Sequence, residues 1–259
     1  MLRAAPAAPR FHSHENPALN FRRFLISAAG ALALLAGSAH AADNTEQVRR
    51  ALSKLLPDFP ATAHIVKTPY AGLYEVDFGD HVFYTDATGS FLFAGNILDT
   101  RSGVNVTQAR VQQLQKVDWS HLPLKDSFKV VYGNGARQVA VFEDPYCPFC
   151  RQFDQSLAKA GNMTVHVFLY PVISKNSPAK SRQILCAPDP GKAWQAWMGE
   201  HKEPPPAAAS CNSDVLQANL QLGQKLNIQS TPTTFLHDGT RITGAVEYAD
   251  LVKALDSAK

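Results

Sequence analysis

The sequence predicts two folded domains of different class, a small α+β domain followed by a larger α/β layer sandwich. Residues 72–94 contain three short strand-like runs separated by turn signals at Gly79-Asp80 and at 86–89, which predicts an antiparallel meander. From residue 128 onward, strand-like runs alternate with helical ones, a pattern typical of α/β proteins. A polar helical stretch at 106–116 lies between these regions and is predicted to connect them.

Composition and charge are those of an ordinary globular protein. The chain has 259 residues, of which 45% are hydrophobic and 18% are charged, so it is long enough for one or two domains with their own cores. Residues 1–41 hold four of the 25 basic residues and one of the 22 acidic ones, which leaves 21 of each sign in the rest of the chain. The body of the protein therefore lacks the basic footprint of a nucleic-acid or anionic-membrane binder.

Residues 1–41 have the layout of a secretory signal peptide. Arg22 and Arg23 precede an apolar run at 24–36, and small residues follow up to Ala41, after which cleavage is predicted. The alternative is a membrane anchor, but a run of about 13 residues is shorter than the roughly 20 that a spanning helix needs. We therefore expect the mature protein to be exported, to a place where thiols meet an oxidising environment.

The first domain is predicted at 42–102. A helix is expected at 44–56, because Val48, Leu52 and Leu55 recur at helical spacing and Pro57 ends the pattern. One helix and three strands bury little apolar surface in a layer of about 55 residues. Pairing with a second copy would bury more, so this region is predicted to form a homodimer.

The second domain is predicted at 123–259, after a linker helix within 103–122. Strands are expected at 128–132 and 138–142, joined as a hairpin through Gly133-Asn134-Gly135. The further elements expected are a helix at 148–160, a strand at 164–169, helices at 178–200 and 213–226, a strand at 233–236 and a final helix at 247–257. Trp194 and Trp197 are interpreted as packing residues, and Lys180 as a solvated one.

The sequence Cys147-Pro-Phe-Cys150 stands between a predicted strand and a predicted helix. At a helix N-terminus, free backbone N–H groups and the helix dipole stabilise an anion, so the thiolate of Cys147 should be favoured. A low pKa makes this cysteine both an attacking nucleophile near neutral pH and a good leaving group. Cys150, one turn into the helix, should be more buried and should resolve a mixed disulfide.

Other uses of the four cysteines are less consistent with the spacing. A zinc ribbon would need a second Cys-x-x-Cys, and haem attachment would need a histidine where Arg151 stands. A purely structural bond between Cys147 and Cys150 would close a small, reducible ring. For Cys186 and Cys211 the favoured hypothesis is a structural disulfide, worth roughly 3 kcal/mol on the chain-entropy model, with two free thiols as the alternative.

These motifs together resemble the thioredoxin superfamily. Strand, Cys-x-x-Cys and helix are followed by Ser230-Thr231-Pro232-Thr233 ahead of another strand. With an export signal, a small β-rich first domain and a second cysteine pair, the whole of residues 42–259 resembles the periplasmic disulfide isomerases of the DsbC/DsbG type. The resemblance implies a cystatin-like N-terminal dimerisation domain, a thioredoxin-like catalytic domain with a helical insertion, and a V-shaped homodimer.

The resemblance also implies a role for each site residue. Cys147 matches the exposed nucleophile and Cys150 the resolving cysteine, while Thr231 and Pro232 match the cis-proline loop that faces the thiolate and contacts substrate. Cys186 and Cys211 match the structural disulfide. Implied partners are misfolded exported proteins with disulfides and a membrane-embedded thiol reductase that recycles the site. No cofactor, metal or nucleic acid is implied, and a chaperone activity is expected beside the catalytic one.

Two departures from the family pattern leave alternatives open. The dipeptide Pro148-Phe149 stands where the isomerases commonly have Gly-Tyr and the sister type has Pro-Tyr, so a reductase of oxidised single cysteines or a dithiol oxidase are the rival functions. Val141 occupies the position six residues before the nucleophile where many thioredoxins have a buried carboxylate. Glu143 and Asp144 could assist proton transfer, but solvent-facing acids at a strand end are the favoured interpretation.

Overall fold

The structure, a computed structural model, describes residues 44–258 of the chain. The predicted signal peptide at 1–41 and its cleavage site lie outside these residues. Within the described part, no helix is both long and apolar enough to cross a membrane. The described residues pack as one compact unit, and the domain boundaries at 102/103 and 122/123 stay predictions.

The N-terminal region is an antiparallel sheet covered by one helix. Its elements are α1 (Thr45–Leu55), β1 (His64–Lys67), β2 (Tyr74–Phe78), β3 (His81–Thr85) and β4 (Leu92–Phe93), with the strands in the order β1-β2-β3-β4. Val48 and Leu52 of α1 are fully buried against a core that includes Ile65, Tyr74 and Val76. The predicted meander is confirmed, and β1 extends it by one strand that the sequence analysis missed.

A second helix is fixed to this sheet by a buried ion-pair network. It is α2 (Val106–Leu114), and it follows a short hairpin of β5 (Leu98–Asp99) and β6 (Val104–Asn105). Arg110 of α2 donates hydrogen bonds to Glu75 at 2.7 Å and to Asp77 at 2.9 Å, both on β2. The side chain of Asp77 is only 8% exposed, so Arg110 neutralises a carboxylate that has little access to water.

The second sheet has five strands within the described residues. They are β7 (Phe128–Tyr132), β8 (Arg137–Glu143), β9 (Met163–Leu169), β10 (Thr233–Leu236) and β11 (Arg241–Thr243), in the order β11-β10-β8-β9-β7. The pair β8 and β9 is parallel, and the other pairs are antiparallel. This alternation with helices gives the α/β class that was predicted.

The predicted hairpin between β7 and β8 is wrong. The turn at Gly133 to Gly135 has positive φ angles, as a tight turn requires, but β9 lies between the two strands and pairs with both. Every residue of β9 is buried, whereas β7 exposes Lys129 and Val131 to solvent. The strand that is buried along its whole length takes the inner position, and the strand with two exposed residues lies at the edge.

Five helices and two 3₁₀ turns complete the described part of this region. The helices are α3 (Pro148–Ala160), α4 (Ser177–Leu185), α5 (Pro190–Glu200), α6 (Asp214–Lys225) and α7 (Tyr248–Ser257), and the 3₁₀ turns are Trp119–His121 and Leu124–Asp126. Successive side chains of β8 enter different cores. Val139 and Val141 pack with residues of α3, whereas Ala140 and Phe142 join the cluster on the opposite face.

The Arg110 network leads to a stability prediction. Arg110→Ala should lower the free energy of unfolding by about 2 kcal/mol, because it removes charged hydrogen bonds and leaves the Asp77 carboxylate buried without this partner. Urea unfolding followed by circular dichroism measures this. The control is Arg101→Ala, since Arg101 is 89% exposed and pairs with Asp99 at the surface, where loss of an ion pair costs less than about 1 kcal/mol. Equal losses in the two variants would contradict the assignment.

Candidate active site

The two cysteines of the Cys-x-x-Cys motif lie at the start of α3, directly after β8. Cys147 is the N-cap residue of this helix, and its Sγ accepts a hydrogen bond from the backbone N–H of Cys150 at 3.3 Å. Pro148 occupies the first helical turn, where a missing N–H leaves no hydrogen bond unmade. The sulfur of Cys147 therefore sits where the helix offers its unpaired donors.

The thiolate form of Cys147 is strongly favoured. The Cys150 thiol donates a hydrogen bond to the sulfur of Cys147, and this is the main reason why the pKa of Cys147 is lowered to about 6. The Thr231 side chain and the backbone N–H groups of Cys150 and Phe149 lower this pKa further, whereas burial raises it. At neutral pH most Cys147 side chains are therefore anionic.

Cys150 has the opposite character. It is fully buried, and burial raises the pKa of its thiol, as do its hydrogen bond to Cys147 and the negative charge there. The pair is thus asymmetric, with a thiolate at the helix start and a protonated thiol one turn further in. The family resemblance implied an exposed nucleophile, but Cys147 is only 2% exposed. The nucleophilic sulfur is therefore largely shielded from solvent.

The loop before β10 faces Cys147. The Thr231–Pro232 peptide bond is cis, and the carbonyl oxygen of Thr231 lies 3.4 Å from Sγ of Cys147, in position to accept from its thiol form. The Thr231 hydroxyl is buried and has no hydrogen-bond partner among the described residues, so its proton is available to a thiolate at Cys147. The structure therefore brings Thr231 to the nucleophile across 84 residues of sequence.

Cys186 and Cys211 are joined by a disulfide in the helical insertion. Cys186 follows the last residue of α4, and Cys211 lies in the loop before α6. Arg182 of α4 also donates to the backbone carbonyls of Ala208 and Cys211, so the loop is held to α4 by both covalent and polar contacts. Neither cysteine of this pair is free to react.

Asp144 organises the segments around the motif. The favoured interpretation of Glu143 and Asp144 as solvent-facing acids is wrong, because both are completely buried. The carboxylate of Asp144 accepts four hydrogen bonds of 2.7 to 2.8 Å, from the backbone N–H groups of Tyr146, Val172 and Ile173 and from the hydroxyl of Ser177. Three of these donors lie 28 to 33 residues away, so no local sequence signal could have revealed the arrangement.

Trp197 supports the loop that carries the motif. Its Nε1 donates to the carbonyl of Pro145 at 2.6 Å, and the ring of Tyr146 meets it edge-on at 5.6 Å. The ammonium of Lys180 lies 4.0 Å from the centre of the indole ring and pairs with Glu203. The interpretation of Lys180 as solvated is therefore wrong, since its side chain is 7% exposed and covers an aromatic face.

The site can perform dithiol–disulfide exchange with its own side chains. A thiolate available at neutral pH attacks a disulfide, and a second thiol one helical turn away can displace what it binds. Among the described residues no group of three or more His, Cys, Asp or Glu side chains could hold a metal ion. The surface around the motif is apolar, with exposed side chains of Tyr146, Phe149, Val172 and Ile173.

Comparison with known proteins places the chain in a family. Residues 124–259 match the model of a thioredoxin-like domain, and residues 38–108 match that of the N-terminal domain of disulfide bond isomerase proteins. A probable thiol:disulfide interchange protein DsbC from Bordetella parapertussis is 38% identical over 215 residues, which are 83% of this chain and 75% of that protein. The chain belongs to the DsbC family of thiol:disulfide interchange proteins.

Two further relatives agree with this DsbC-family assignment. A probable DsbC from Bordetella avium is 41% identical over 188 residues, which are 73% of this chain and 66% of that protein. The crystal structure of a disulfide interchange protein from Neisseria gonorrhoeae superposes with a TM-score of 0.50 at 29% identity, covering 53% of this chain and 98% of that one. The family resemblance stated from the motifs is confirmed.

The hydrogen bonds at Cys147 lead to a prediction about this DsbC-family site. Cys150→Ala should raise the pKa of Cys147 above its value of about 6, because the thiol donor that lowers it most is lost. Cys150→Ser keeps a donor at the same place and should leave the pKa lower than Cys150→Ala does. The rate of Cys147 alkylation by iodoacetamide from pH 4 to 10 measures both. Identical midpoints in the two variants would exclude the Cys150 side chain as a donor.

Proposed function

We propose that the protein is a periplasmic thiol:disulfide isomerase that reshuffles wrong disulfides in exported proteins through Cys147 and Cys150. The observation that carries the proposal is the asymmetry of the pair, an anionic sulfur at the start of α3 beside a buried, protonated thiol. An isomerase needs this combination, because its mixed disulfide must last long enough for a substrate thiol to attack it before its own second thiol does.

The reaction begins with attack of the Cys147 thiolate on a substrate disulfide. A bond forms between Cys147 and one substrate sulfur, and the other substrate sulfur leaves as a thiolate. If a substrate thiolate then attacks the same substrate sulfur, a new substrate disulfide forms and Cys147 is released unchanged. If Cys150 attacks Cys147 instead, the substrate leaves reduced and the protein carries a Cys147–Cys150 disulfide. A membrane-embedded thiol reductase would then return two electrons to the pair.

The neighbouring residues have supporting roles in this proposal. Thr231 and Pro232 form the cis-proline loop that contacts bound substrate, and the Cys186–Cys211 disulfide is structural. The exposed apolar side chains around the motif match the apolar segments that unfolded proteins expose. They also support a chaperone activity beside the catalytic one.

We also propose that two copies pair through a cystatin-like N-terminal domain at 42–102, with a linker helix within 103–122 connecting it to the catalytic domain at 123–259. Strand β4 is an edge of the described sheet and pairs with β3 alone there. Its residues Leu92 and Phe93, with Phe91 before them, are 38 to 66% exposed. An exposed apolar edge strand favours pairing with another chain. The predicted signal peptide at 1–41 supports the periplasmic location.

A second candidate is a reductase of oxidised single cysteines. It is favoured by Pro148-Phe149, which is closer to the Pro-Tyr dipeptide of the sister type than to Gly-Tyr. Both candidates require a reduced pair in the exported protein, whereas a dithiol oxidase requires an oxidised one. Thiol trapping of the exported protein after acid quenching therefore separates the oxidase from the other two.

The catalytic prediction uses a scrambled multi-disulfide protein as substrate. Cys147→Ala should abolish its reshuffling, because the attacking sulfur is gone. Cys150→Ala should instead accumulate covalent complexes with substrate, because the displacing thiol is missing. Activity recovery and non-reducing gel electrophoresis measure the two effects. Full reshuffling by Cys147→Ala would refute the mechanism, and reduction of sulfenylated single cysteines without reshuffling by the unaltered protein would favour the reductase.

The dimer prediction concerns the β4 edge. Phe93→Glu should shift the protein from dimer to monomer, because it places a charge where two apolar edges meet. Its control is Val131→Glu, since Val131 is 57% exposed on β7, an edge of the other described sheet, and should leave the dimer intact. Light scattering on a size-exclusion column gives both masses. A monomeric unaltered protein at micromolar concentration would rule out the pairing.

A further inference from the structure

Glu143 is a buried acid that the exchange mechanism has not used. It is the last residue of β8, and the alternation along this strand places its side chain on the face of Val139 and Val141. That face packs against α3, in the core that contains Cys150 and Phe153. Glu143 is fully buried, and neither of its carboxyl oxygens has a hydrogen-bond partner among residues 44–258.

A second acid lies on the same side of α3. Asp154 follows Cys150 by four residues, which is one helical turn, so their side chains are neighbours on one helix face. Oδ2 of Asp154 is shielded from solvent and likewise makes no hydrogen bond within the described part of the chain. Asp154 also lines a cavity of about 190 Å³ that is open to solvent, together with Tyr132, Arg151 and Gln195. The acid thus stands between the buried thiol and water.

The surroundings raise the pKa of both acids above that of a free carboxyl group, so both hold a proton more firmly. Burial raises the pKa of Glu143, and the negative charges of Asp154 and Cys147 raise it further. Burial also raises the pKa of Asp154, against the opposing effects of the Trp194 indole and Arg151. The titratable and charged groups that face the two acids are Cys147, Cys150 and Arg151 from the α3 side and Tyr132 from β7.

We propose that Glu143 accepts the proton of Cys150 when Cys150 attacks the mixed disulfide, and that Asp154 passes protons between Glu143 and the water of the cavity. The inference rests on the proposed thiol exchange at Cys147 and Cys150. It adds a proton route to that reaction, from the buried thiol through two acids to solvent.

Cys147 and Glu143 carry a negative charge in turn, because a buried site holds one negative charge at a lower cost than two. While Cys147 is a thiolate, Glu143 stays protonated, because a second charge beside the first is costly. When Cys147 becomes bonded to substrate its charge disappears, and Glu143 can then lose its proton through Asp154 to the cavity. The carboxylate so formed is a base beside Cys150, and it is generated only when the mixed disulfide exists.

The resolving step transfers one proton to Glu143 and two electrons to the substrate. The Cys150 thiol gives its proton to the Glu143 carboxylate, and the Cys150 sulfur forms a bond to Sγ of Cys147. The bond between Cys147 and the substrate sulfur breaks, and the substrate leaves as a thiolate that solvent protonates. Two electrons pass from the cysteine pair to the substrate, and Glu143 ends the step as a neutral acid.

The test separates the two thiol steps with the reduced protein and dithiobis(nitrobenzoate), a chromogenic disulfide. Attack by Cys147 releases the first aromatic thiolate in a phase that depends on reagent concentration. Displacement by Cys150 releases the second in a phase that does not. Stopped-flow absorbance from pH 5 to 9 records both phases for the unaltered protein, Glu143→Gln, Asp154→Asn and the control Asp256→Asn. Asp256 is 57% exposed on α7, where it pairs with Arg137.

Glu143→Gln should slow the second phase at pH 7 by at least about tenfold, since general-base assistance typically contributes about 10²- to 10⁴-fold. The first phase should change by less than about twofold. The second phase of this variant should then rise about tenfold per pH unit, because hydroxide replaces the carboxylate as the base. Asp154→Asn should slow the same phase several-fold, and Asp256→Asn should change neither phase.

An unchanged second phase in Glu143→Gln, or equal slowing of both phases, would overturn the proposal. Circular dichroism shows whether Glu143→Gln folds. If it does not, Asp154→Asn provides the test, and an unchanged second phase or equal slowing of both phases in that variant would overturn the proposal. Absence of a first phase in the unaltered protein would instead refute the proposed function. A normal first phase with a second phase that neither substitution slows would refute the proton route and leave the proposed function standing.

Discussion

The structure of the site depends on one interaction, the stabilisation of a negative charge on the sulfur of Cys147. The interactions that favour this charge come from three sources, which are the first turn of α3, the Cys150 thiol and the Thr231 side chain. They converge because β8 ends at Glu143, the helix begins at Pro148, and β10, whose preceding loop carries Thr231, pairs directly with β8. The central strands of the sheet, buried on both faces, fix these relative positions.

Glu143 and Asp144 show how alternation along a strand gives neighbouring residues opposite chemistry. Asp144 accepts four hydrogen bonds and ties three segments together, which offsets the cost of burying its carboxylate. Glu143, one residue earlier, faces the thiols and has no hydrogen-bond partner among the described groups. A buried carboxyl without donors is stable only as a neutral acid, and such a group can take up or release a proton when a nearby charge changes.

Elements that depend on local sequence patterns could be predicted from the sequence. The start of α3 at Pro148, the meander of β2 to β4, and the final helix follow from capping, turn residues and hydrophobic spacing, and the structure has them at the expected places. The failures in the second sheet and at the site involve partners from other elements of the fold. The β7–β8 hairpin was wrong because β9, which follows β8 along the chain and is buried along its whole length, lies between the two strands and pairs with both. The burial of Lys180, Glu143 and Asp144 was missed because their partners come from other elements, which single-sequence patterns do not reveal.

The high pKa of Cys150 bears on which reaction the site favours. An isomerase works only if its mixed disulfide survives long enough for a substrate thiol to find it, so a fast Cys150 would divert every encounter to reduction. Burial keeps this thiol protonated and therefore slow. A base that forms only after Cys147 has lost its charge would still let Cys150 release substrates that cannot rearrange. The balance between reshuffling and release would then be set by the two buried acids as well as by the dipeptide between the cysteines.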